Sequence, residues 1–218
     1  MTEKVIVLHS GGMDSTVCLL LALEQNRTVM SLGIDYDQTS KIELEYAKNL
    51  CDRFGVQRRV LSVHWDKLLR EIPLDRNIEE IRSGISPAFL PGRNIIFLVL
   101  ACAEASKFRA SEVWIGVNSL DYSGYPDCRQ DFLDAFQHMI DIAIPDGPKI
   151  IAPLSSMSKP DIALVAHRLG LCPNDTWSCY RPLSQKNGYK PCGRCDACVL
   201  HNYAWDTALA RKFKVDKD

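Results

Sequence analysis

Two kinds of hydrophobic pattern alternate along most of the chain. The run Val5-Ile6-Val7-Leu8 is continuously apolar and rich in β-branched residues, which is typical of a strand buried on both faces. After Ser15 the apolar residues recur with a helical period instead. Strand patterns return over residues 28–36, 57–63, 112–117 and 149–152, and helical patterns over residues 41–54, 94–108, 130–142 and 159–169. This alternation implies βαβ units around a parallel sheet.

Two stretches depart from the alternation. From Glu71 to Gly92 the sequence is polar, contains three prolines and has no period, which is typical of a lid or a disordered loop. After Leu171 the composition shifts to Cys, Pro, Gly, Trp and Tyr, which predicts a small module without a sheet, closed by a helix over residues 199–211. We therefore divide the chain into an α/β domain over residues 1–171 and a cysteine-rich module with a terminal helix over residues 172–218.

Composition and charge narrow the classes of protein that fit. A length of 218 residues, with 46% hydrophobic and 24% charged residues, is ordinary for one globular domain with an appendage. The net charge of −1 argues against binding nucleic acid through charge alone. No apolar run approaches the ~20 residues of a membrane span, and no secretory signal precedes the first strand. We expect a cytoplasmic protein with no nucleic-acid or membrane partner, and a homodimer from its size alone.

The strongest motif is Ser10-Gly11-Gly12-Met13-Asp14-Ser15, between the first strand and the first helix. Backbone N–H groups at such a helix start favour a phosphate, and glycine allows its close approach. The loop is neither a Walker A sequence nor a dinucleotide fingerprint. An ordinary turn with Asp14 or Ser15 as N-cap is the alternative, but the complete string favours a nucleotide.

The nine cysteines cannot all pair with one another, and without an export signal they point to metal binding or catalysis. Cys192, Cys195 and Cys198 form two overlapping C-x₂-C units, and Cys179 precedes them. Four thiolates at this spacing fit a closed, tetrahedral zinc site. An iron–sulfur cluster and a redox C-x-x-C pair are the alternatives. Cys172 could replace Cys179 as a ligand, but a buried cysteine at a helix end is its simpler interpretation.

A polar and aromatic loop follows the strand pattern at residues 112–117. The loop runs from Asn118 to Arg129 and contains two acids, two tyrosines and an arginine. Ligands of open α/β sheets bind at the carboxyl ends of strands, so the loop is a candidate for substrate recognition. A surface loop with packed tyrosine rings explains these residues equally well when they are taken alone.

Taken together, five segments resemble a known family: LHSGGMDST, PGRNIIF, GVNSLDYSGYPDCRQDF, TWSCY and CGRCDAC. The loop is similar to the PP-loop of ATP pyrophosphatases, and the whole set, from Val5 to His201, is similar to the 7-cyano-7-deazaguanine synthases within that group. The resemblance implies an open parallel sheet with helices on both faces (adenine nucleotide alpha hydrolase-like) and a small C-terminal zinc module. One departure is Asp37, where the family usually has glycine; Thr39 and Ser40 replace its usual Arg-His.

The resemblance also implies a reaction. ATP activates the carboxylate of 7-carboxy-7-deazaguanine, ammonia displaces the leaving group, and a second activation converts the amide to the nitrile, in queuosine biosynthesis. The loop type favours AMP and pyrophosphate as products over ADP and phosphate. Rival functions are a tRNA thiolase and an ammonia-dependent amide synthetase of the same fold. Structural Zn²⁺ and ATP with Mg²⁺ are the implied cofactor and co-substrate.

Site residues follow from the motifs and the resemblance. For ATP we predict His9, Ser10, Gly11, Gly12, Met13, Asp14, Ser15, Thr16, Asp35 and Arg93. For the substrate we predict Asn118, Asp121, Tyr122, Tyr125, Asp127 and Arg129. For zinc we predict Cys179, Cys192, Cys195 and Cys198. Among these, Asp14 is expected to help hold Mg²⁺, Asp127 to meet the donor edge of the guanine-like ring, Tyr122 or Tyr125 to stack on it, and Arg129 to meet its carboxylate.

Overall fold

A computed structural model describes residues 2–38, 41–64, 72–119 and 125–215, the side chains of 213–215 excepted. Its centre is a five-stranded parallel sheet with the order β3-β2-β1-β4-β5. The strands are β1 (Lys4–Leu8), β2 (Thr28–Asp35), β3 (Gln57–Ser62), β4 (Glu112–Trp114) and β5 (Lys149–Ile151). The parallel sheet predicted from the alternating pattern is therefore confirmed.

Helices cover both faces of the sheet. Within the described residues they are α1 (Met13–Glu24), α2 (Ile42–Phe54), α3 (Ile78–Arg82), α4 (Arg93–Phe108), α5 (Gln130–Ala143), α6 (Lys159–Arg168) and α7 (Asp196–Val215). Short 3₁₀ turns span Pro126–Cys128 and Pro173–Asp175. None of the described helices has the length and apolar character needed to cross a bilayer.

The continuous apolar run in β1 follows from this double cover. Val5 and Val7 pack among residues of α1, α6 and α7, whereas Ile6 and Leu8 pack among residues of α4 and α5. All four side chains are at most 9% exposed. Burying an aliphatic side chain of this size stabilises a fold by about 1.5–3 kcal/mol, so a polar residue at any of the four positions would weaken the sheet.

The strand order places a crevice beside β1. The chain winds outward from β1 to β2 and β3 on one side and returns through β4 and β5 on the other. Ligands of open α/β sheets bind at such a reversal, outside the carboxyl ends of the strands. Gly116, just after β4, lets that strand end approach α1 closely, because a Cβ atom there would lie 3.0 Å from the Ser15 nitrogen.

The segment before α4 is more structured than its composition predicted. It contains α3, whose N-cap Asn77 and Glu80 form a reciprocal capping box. Leu74 pairs as an isolated bridge with Cys195 in the C-terminal module. The five-residue helix is too short to show a period, which explains why sequence analysis expected only a lid or a disordered loop here.

The C-terminal module also differs from expectation. It carries an antiparallel hairpin of β6 (Leu183–Gln185) and β7 (Gly188–Lys190), so the prediction of a module without a sheet is wrong. All six strand residues are exposed, and a strand without a buried face leaves no alternating pattern to detect. Cys172 is exposed, contrary to its interpretation as a buried cysteine. The division at residue 171 stays a prediction; α7 packs through Ala204, Trp205 and Ala208 into the core shared with α1 and α6.

Candidate active site

The phosphate loop joins β1 to α1 at the crevice. Ser15 Oγ accepts a hydrogen bond from the Ser10 nitrogen at 3.2 Å and donates one to the Gly12 carbonyl at 3.1 Å. Gly12 is the N-cap of α1 and provides no side-chain cap, so the first N–H groups of the helix keep their capacity for an anion. Gly11 has a φ of +98° and accepts from the Trp177 nitrogen at 3.0 Å, which anchors the loop to the segment leading into the cysteines.

A buried polar network supports the loop from below. The His9 ring lies 3.0 Å from Ser31 Oγ and 3.1 Å from Thr16 Oγ1, and Thr16 donates to the Gly12 carbonyl at 2.8 Å. Arg58, reaching over from β3, donates to both Ser31 Oγ and the His9 carbonyl. Burial and the nearby Arg58 charge lower the pKa of His9 to about 3, so its ring is neutral and acts as a fixed hydrogen-bonding bridge.

Asp14, in the first turn of α1, holds the principal charge pair of the site. Its Oδ2 accepts hydrogen bonds from Lys159 Nζ at 2.5 Å and from Asn118 Nδ2 at 3.0 Å. Its Oδ1 is buried and has no hydrogen-bond partner among the described residues. One carboxylate oxygen is thus fixed by a lysine at the start of α6, and the other remains able to accept a ligand.

A cavity of about 340 Å³ opens over the loop. Its wall combines the phosphate loop with residues from several other parts of the chain, among them Arg93, Tyr125, Ser178 and His201. Burial alone would lower the pKa of Arg93, but the hydroxyl groups of Tyr36 and Tyr180 raise it above its ordinary value. Arg93 is therefore a permanent cation that lines the same cavity as the loop, and a guanidinium suits phosphate binding.

An aromatic pair forms part of the same wall. The rings of Tyr125 and Phe89 are stacked with centroids 5.2 Å apart and an interplanar angle of 17°. Both residues line the cavity. Flat aromatic faces of this kind suit a planar heterocycle.

The four predicted metal ligands converge beside the cavity. The Sγ atoms of Cys179, Cys192, Cys195 and Cys198 all lie within 4.8 Å of one another, and those of Cys192 and Cys198 are 3.9 Å apart. Four sulfurs at ~2.3 Å from one zinc ion would be about 3.8 Å apart, so the cluster fits a tetrahedral metal. Hydrogen bonds from Cys179 and Cys198 hold the pKa of the Cys195 thiol well below its usual range, which favours a thiolate.

Ion pairs tie the segment before α4 to this cluster. Arg76 makes a two-pronged pair with the buried carboxylate of Asp196, which also accepts from Ser86 Oγ at 3.3 Å. Arg194 pairs with Asp75. Ser86 and Asp196 both line the cavity, so the cysteine module and this segment build one wall together.

Comparison with known proteins identifies the family. The model of the family described as "Queuosine biosynthesis protein QueC" matches residues 4–209. A 7-cyano-7-deazaguanine synthase 2 of Rhodopseudomonas palustris (strain HaA2) is 52% identical over 203 residues, which cover 93% of this chain and 97% of that protein. The chain belongs to this family. The 7-cyano-7-deazaguanine synthase of Rhizorhabdus wittichii is 42% identical over 95% of this chain and 94% of its own.

Solved structures agree on the fold of this QueC family member. An NMN synthetase from Francisella tularensis superposes with a TM-score of 0.52 at 16% identity, over 79% of this chain and 63% of its own. The fold predicted from the sequence is confirmed. The assignment to the queuosine pathway and to its 7-cyano-7-deazaguanine synthase family is confirmed by the family model and the relatives.

The structure brings together part of the predicted ATP and substrate residues. Lining the cavity are His9, Ser10, Gly12, Met13, Asp14, Ser15, Arg93 and Tyr125. Gly11 is the loop residue that packs against α2. A Cβ atom at this position would be 2.1 Å from the carbonyl oxygen of Glu43. The role of Gly11 in the QueC loop is thus to allow close packing against α2 as well as a positive φ.

Four predicted ligand residues have different surroundings from those expected. Thr16 is fully buried and its hydroxyl is used by the loop itself, and Asn118 is fully buried against Asp14. Asp127 is 7% exposed, and its Oδ2 accepts from the Asn94 nitrogen at 3.3 Å, which fixes the start of α4. Asp35 pairs with Lys41 at 3.0 Å at the end of β2. None of these four residues lines the cavity, and their roles in binding stay predictions.

Three further predictions concern the loop after β4 and the Asp37 departure. Asp121 and Tyr122 lie outside the described residues, and Arg129 is the N-cap residue of α5. Asp37 has a φ of +59°, a left-handed conformation that glycine adopts freely and aspartate tolerates better than most residues. This conformation accounts for the glycine that the resemblance implies at the same position.

Among the residues of the cavity wall that sequence reasoning missed are Lys159, Ser178 and His201. A sequence signal for Lys159 does exist. Ser158 and Asp161 on either side of it are typical of a helix start, and the structure has α6 begin there. Ser178 lies within the TWSCY segment, which supports the family resemblance but of which only Cys179 was assigned a role. His201 follows the cysteines on α7, and no local pattern in the sequence marks it as part of the site.

Proposed function

We propose that the chain converts 7-carboxy-7-deazaguanine and ammonia to 7-cyano-7-deazaguanine at the expense of ATP, in queuosine biosynthesis. The observation that carries the proposal is the 52% identity, over nearly the full length of both chains, to a protein named for this product. The placement of an uncapped SGG loop, a permanent cation and a stacked aromatic pair around one cavity supports it.

The chemistry requires activation because a carboxylate has no leaving group that ammonia can displace. Transfer of AMP to the carboxylate oxygen releases pyrophosphate and creates that leaving group. Ammonia then forms the C–N bond, and AMP departs to leave the amide. Transfer of a second AMP to the amide oxygen, followed by loss of AMP and the remaining N–H protons, gives the nitrile.

The chain's contribution to activation is positioning and charge. Backbone N–H groups at the start of α1, together with Ser10 and Ser15, would hold the phosphates. Arg93 and Lys159 would balance the charge that develops on the leaving pyrophosphate. The network of His9, Ser31 and Arg58 keeps the loop in its binding shape.

In this proposal Asp14 would be a ligand of the Mg²⁺ ion that accompanies ATP. Its buried Oδ1 is an oxygen ligand of the kind that Mg²⁺ prefers, and the remaining ligands would come from ATP phosphates and water. Lys159 and Asn118 fix the other oxygen, so the free one has a defined orientation.

Zinc belongs to the proposal as a structural ion. All four positions of a tetrahedral site are filled by sulfur, and Cys179 Sγ accepts further hydrogen bonds from the backbone nitrogens of Arg181 and Cys192. Nine free thiols suit a reducing compartment, which supports the cytoplasm as location. A homodimer stays a prediction from size.

Substrate recognition is proposed for the aromatic wall. The stacked rings of Tyr125 and Phe89 present a flat face for the deazapurine. Asp127 acts in this proposal by fixing α4 beside Arg93, rather than by meeting the ring edge.

Incubation with ATP, ammonium and 7-carboxy-7-deazaguanine tests the proposal, with the nitrile detected by mass spectrometry. We expect nitrile and AMP from the wild-type chain, and none above background from Asp14→Asn. Asp52→Asn, a change of the same kind on the exposed face of α2, should behave as wild type. ATP breakdown without nitrile in the complete mixture would contradict the proposal.

A further inference from the structure

A histidine and a serine form a hydrogen-bonded pair in the cavity wall that the activation chemistry does not use. His201 Nε2 lies 3.0 Å from the carbonyl oxygen of Pro173, and His201 Nδ1 lies 3.4 Å from Ser178 Oγ. A carbonyl oxygen can only accept, so Nε2 carries the ring hydrogen. Nδ1 therefore has a free electron pair that accepts from the Ser178 hydroxyl.

The pair is held next to the phosphate loop. Ser178 follows Trp177, whose nitrogen donates to the Gly11 carbonyl, and a Cβ atom at Gly12 would lie 3.7 Å from the Trp177 carbonyl oxygen. Both Ser178 and His201 line the same cavity as the loop. A proton arriving at Ser178 Oγ would thus come from a group bound close to the ATP phosphates.

The surroundings keep the imidazole ready to accept a proton. Burial lowers the pKa of His201 below its ordinary value, and the Lys159 charge acts in the same direction. The bond to the Pro173 carbonyl and the Asp14 charge oppose this effect. The charged groups that face the ring are thus Lys159 on α6 and Asp14 on α1, which have opposite signs.

We propose that Ser178 and His201 form a proton relay for the two nitrogen steps of the proposed function, on which this inference rests. When ammonia bonds to the activated carbon, one N–H proton passes to Ser178 Oγ as the serine proton moves to His201 Nδ1. AMP leaves with the electron pair of its C–O bond. In the second round the activated amide loses its two N–H protons by the same route, AMP departs, and the C≡N bond is complete. His201 returns each proton to solvent.

Ser178 is the catalytic residue in this relay because it touches the reacting nitrogen, and His201 acts through it. The relay is not needed for activation, because transfer of AMP to a carboxylate moves no proton. This difference separates the two halves of the reaction in an experiment.

The test uses Ser178→Ala and His201→Gln in the full chain. The matched controls are Ser111→Ala, between α4 and β4, and His138→Gln, on the exposed face of α5. Release of pyrophosphate from ATP and 7-carboxy-7-deazaguanine is measured in a single turnover without ammonium. Nitrile formation is then measured with saturating ammonium across the pH range, and the metal content of each variant is determined.

We expect pyrophosphate release and metal content to stay within about twofold of wild type in both variants. Nitrile formation should fall by about 10²-fold, the lower end of what a general base contributes. His201→Gln should also lose the decline of the nitrile rate on the acid side, which in the wild type reflects protonation of the imidazole. The two controls should keep both rates.

Nitrile rates near wild type in both variants would overturn the relay. A parallel fall of pyrophosphate release, nitrile formation and metal content would also overturn it, because the pair would then have a structural role. Failure of the proposed function gives a different result: the wild-type chain would release no pyrophosphate in response to 7-carboxy-7-deazaguanine.

Discussion

Gly11 offers a sharp test of how the phosphate loop is built. An alanine there would carry a φ of +98° and place its Cβ atom 2.1 Å from the Glu43 carbonyl oxygen and 2.9 Å from the Ala47 nitrogen. The left-handed backbone costs about 1–2 kcal/mol. Relief of the contact requires the loop and α2 to separate by about 1 Å, since both neighbours are backbone atoms. A displacement of that size at a reacting group lowers the rate by about 10²-fold.

Gly55→Ala is the matched control for this substitution. Gly55 also has a positive φ, +65°, but a Cβ atom there meets nothing within 4 Å. Both variants should lose similar stability through the backbone conformation, which lowers Tm by roughly 2–4 °C per kcal/mol in a chain of this size. Only Gly11→Ala should lose kcat/KM for ATP, by about 10²-fold, in the nitrile assay.

The result that would refute the reasoning is equal activity. If Gly11→Ala keeps kcat/KM for ATP within about twofold of Gly55→Ala, the close packing of the loop on α2 does not position the phosphates. A matching fall of both variants would assign the effect to stability.

Further predictions concern the metal, pH and the Arg76 pair. Protein prepared without chelator should hold about one zinc per chain by elemental analysis; Cys195→Ser should lose it, whereas the exposed Cys172→Ser keeps it. Because the folded pKa of His9, about 3, lies below the ordinary 6.5, its contribution is complete above pH 6.5 and is lost as pH falls towards 3. The free energy of unfolding in urea should therefore drop by about 2 kcal/mol from this group between pH 7 and 5, and His9→Gln should lack that component. Arg76→Met leaves a buried carboxylate at the start of α7 unpaired and should cost about 2 kcal/mol in urea unfolding, whereas Arg194→Met, in an exposed pair, should change stability far less. Equal effects of the two arginine substitutions would contradict this assignment.

The sheet could be predicted because its elements have a strong period and two buried faces. β1 is apolar after its first residue, Lys4, and α1, α4 and α5 have long apolar sides, so their bounds in the structure differ from the predicted ones by at most about two residues. The hairpin β6–β7 and the short helix α3 could not, because exposed or five-residue elements leave no period.

The candidate site divides along a similar line. Contiguous motifs such as the phosphate loop and the cysteine run can be recognised directly in the sequence. The structure brings the four cysteines together, as their spacing predicts. A motif does not show whether a side chain lines the cavity. Thr16 and Asn118 are fully buried and do not line it, whereas Lys159 and His201 line it from helices distant in sequence. Tertiary packing alone decides between these outcomes.

The bridge between Leu74 and Cys195 connects the segment before α4 to the cysteine module, and these two parts of the chain together build one wall of the cavity. It joins positions about 120 residues apart, and closing a chain of that length costs on the order of 4 kcal/mol of loop entropy. In a secreted domain a disulfide would supply such a cross-link. Here a metal held by four sulfurs, with the Arg76 and Arg194 pairs around it, would supply it in a form that reducing agents do not cleave. Metal supply and the shape of the substrate cavity would then be thermodynamically linked, so that the affinity for substrate rises with free metal concentration.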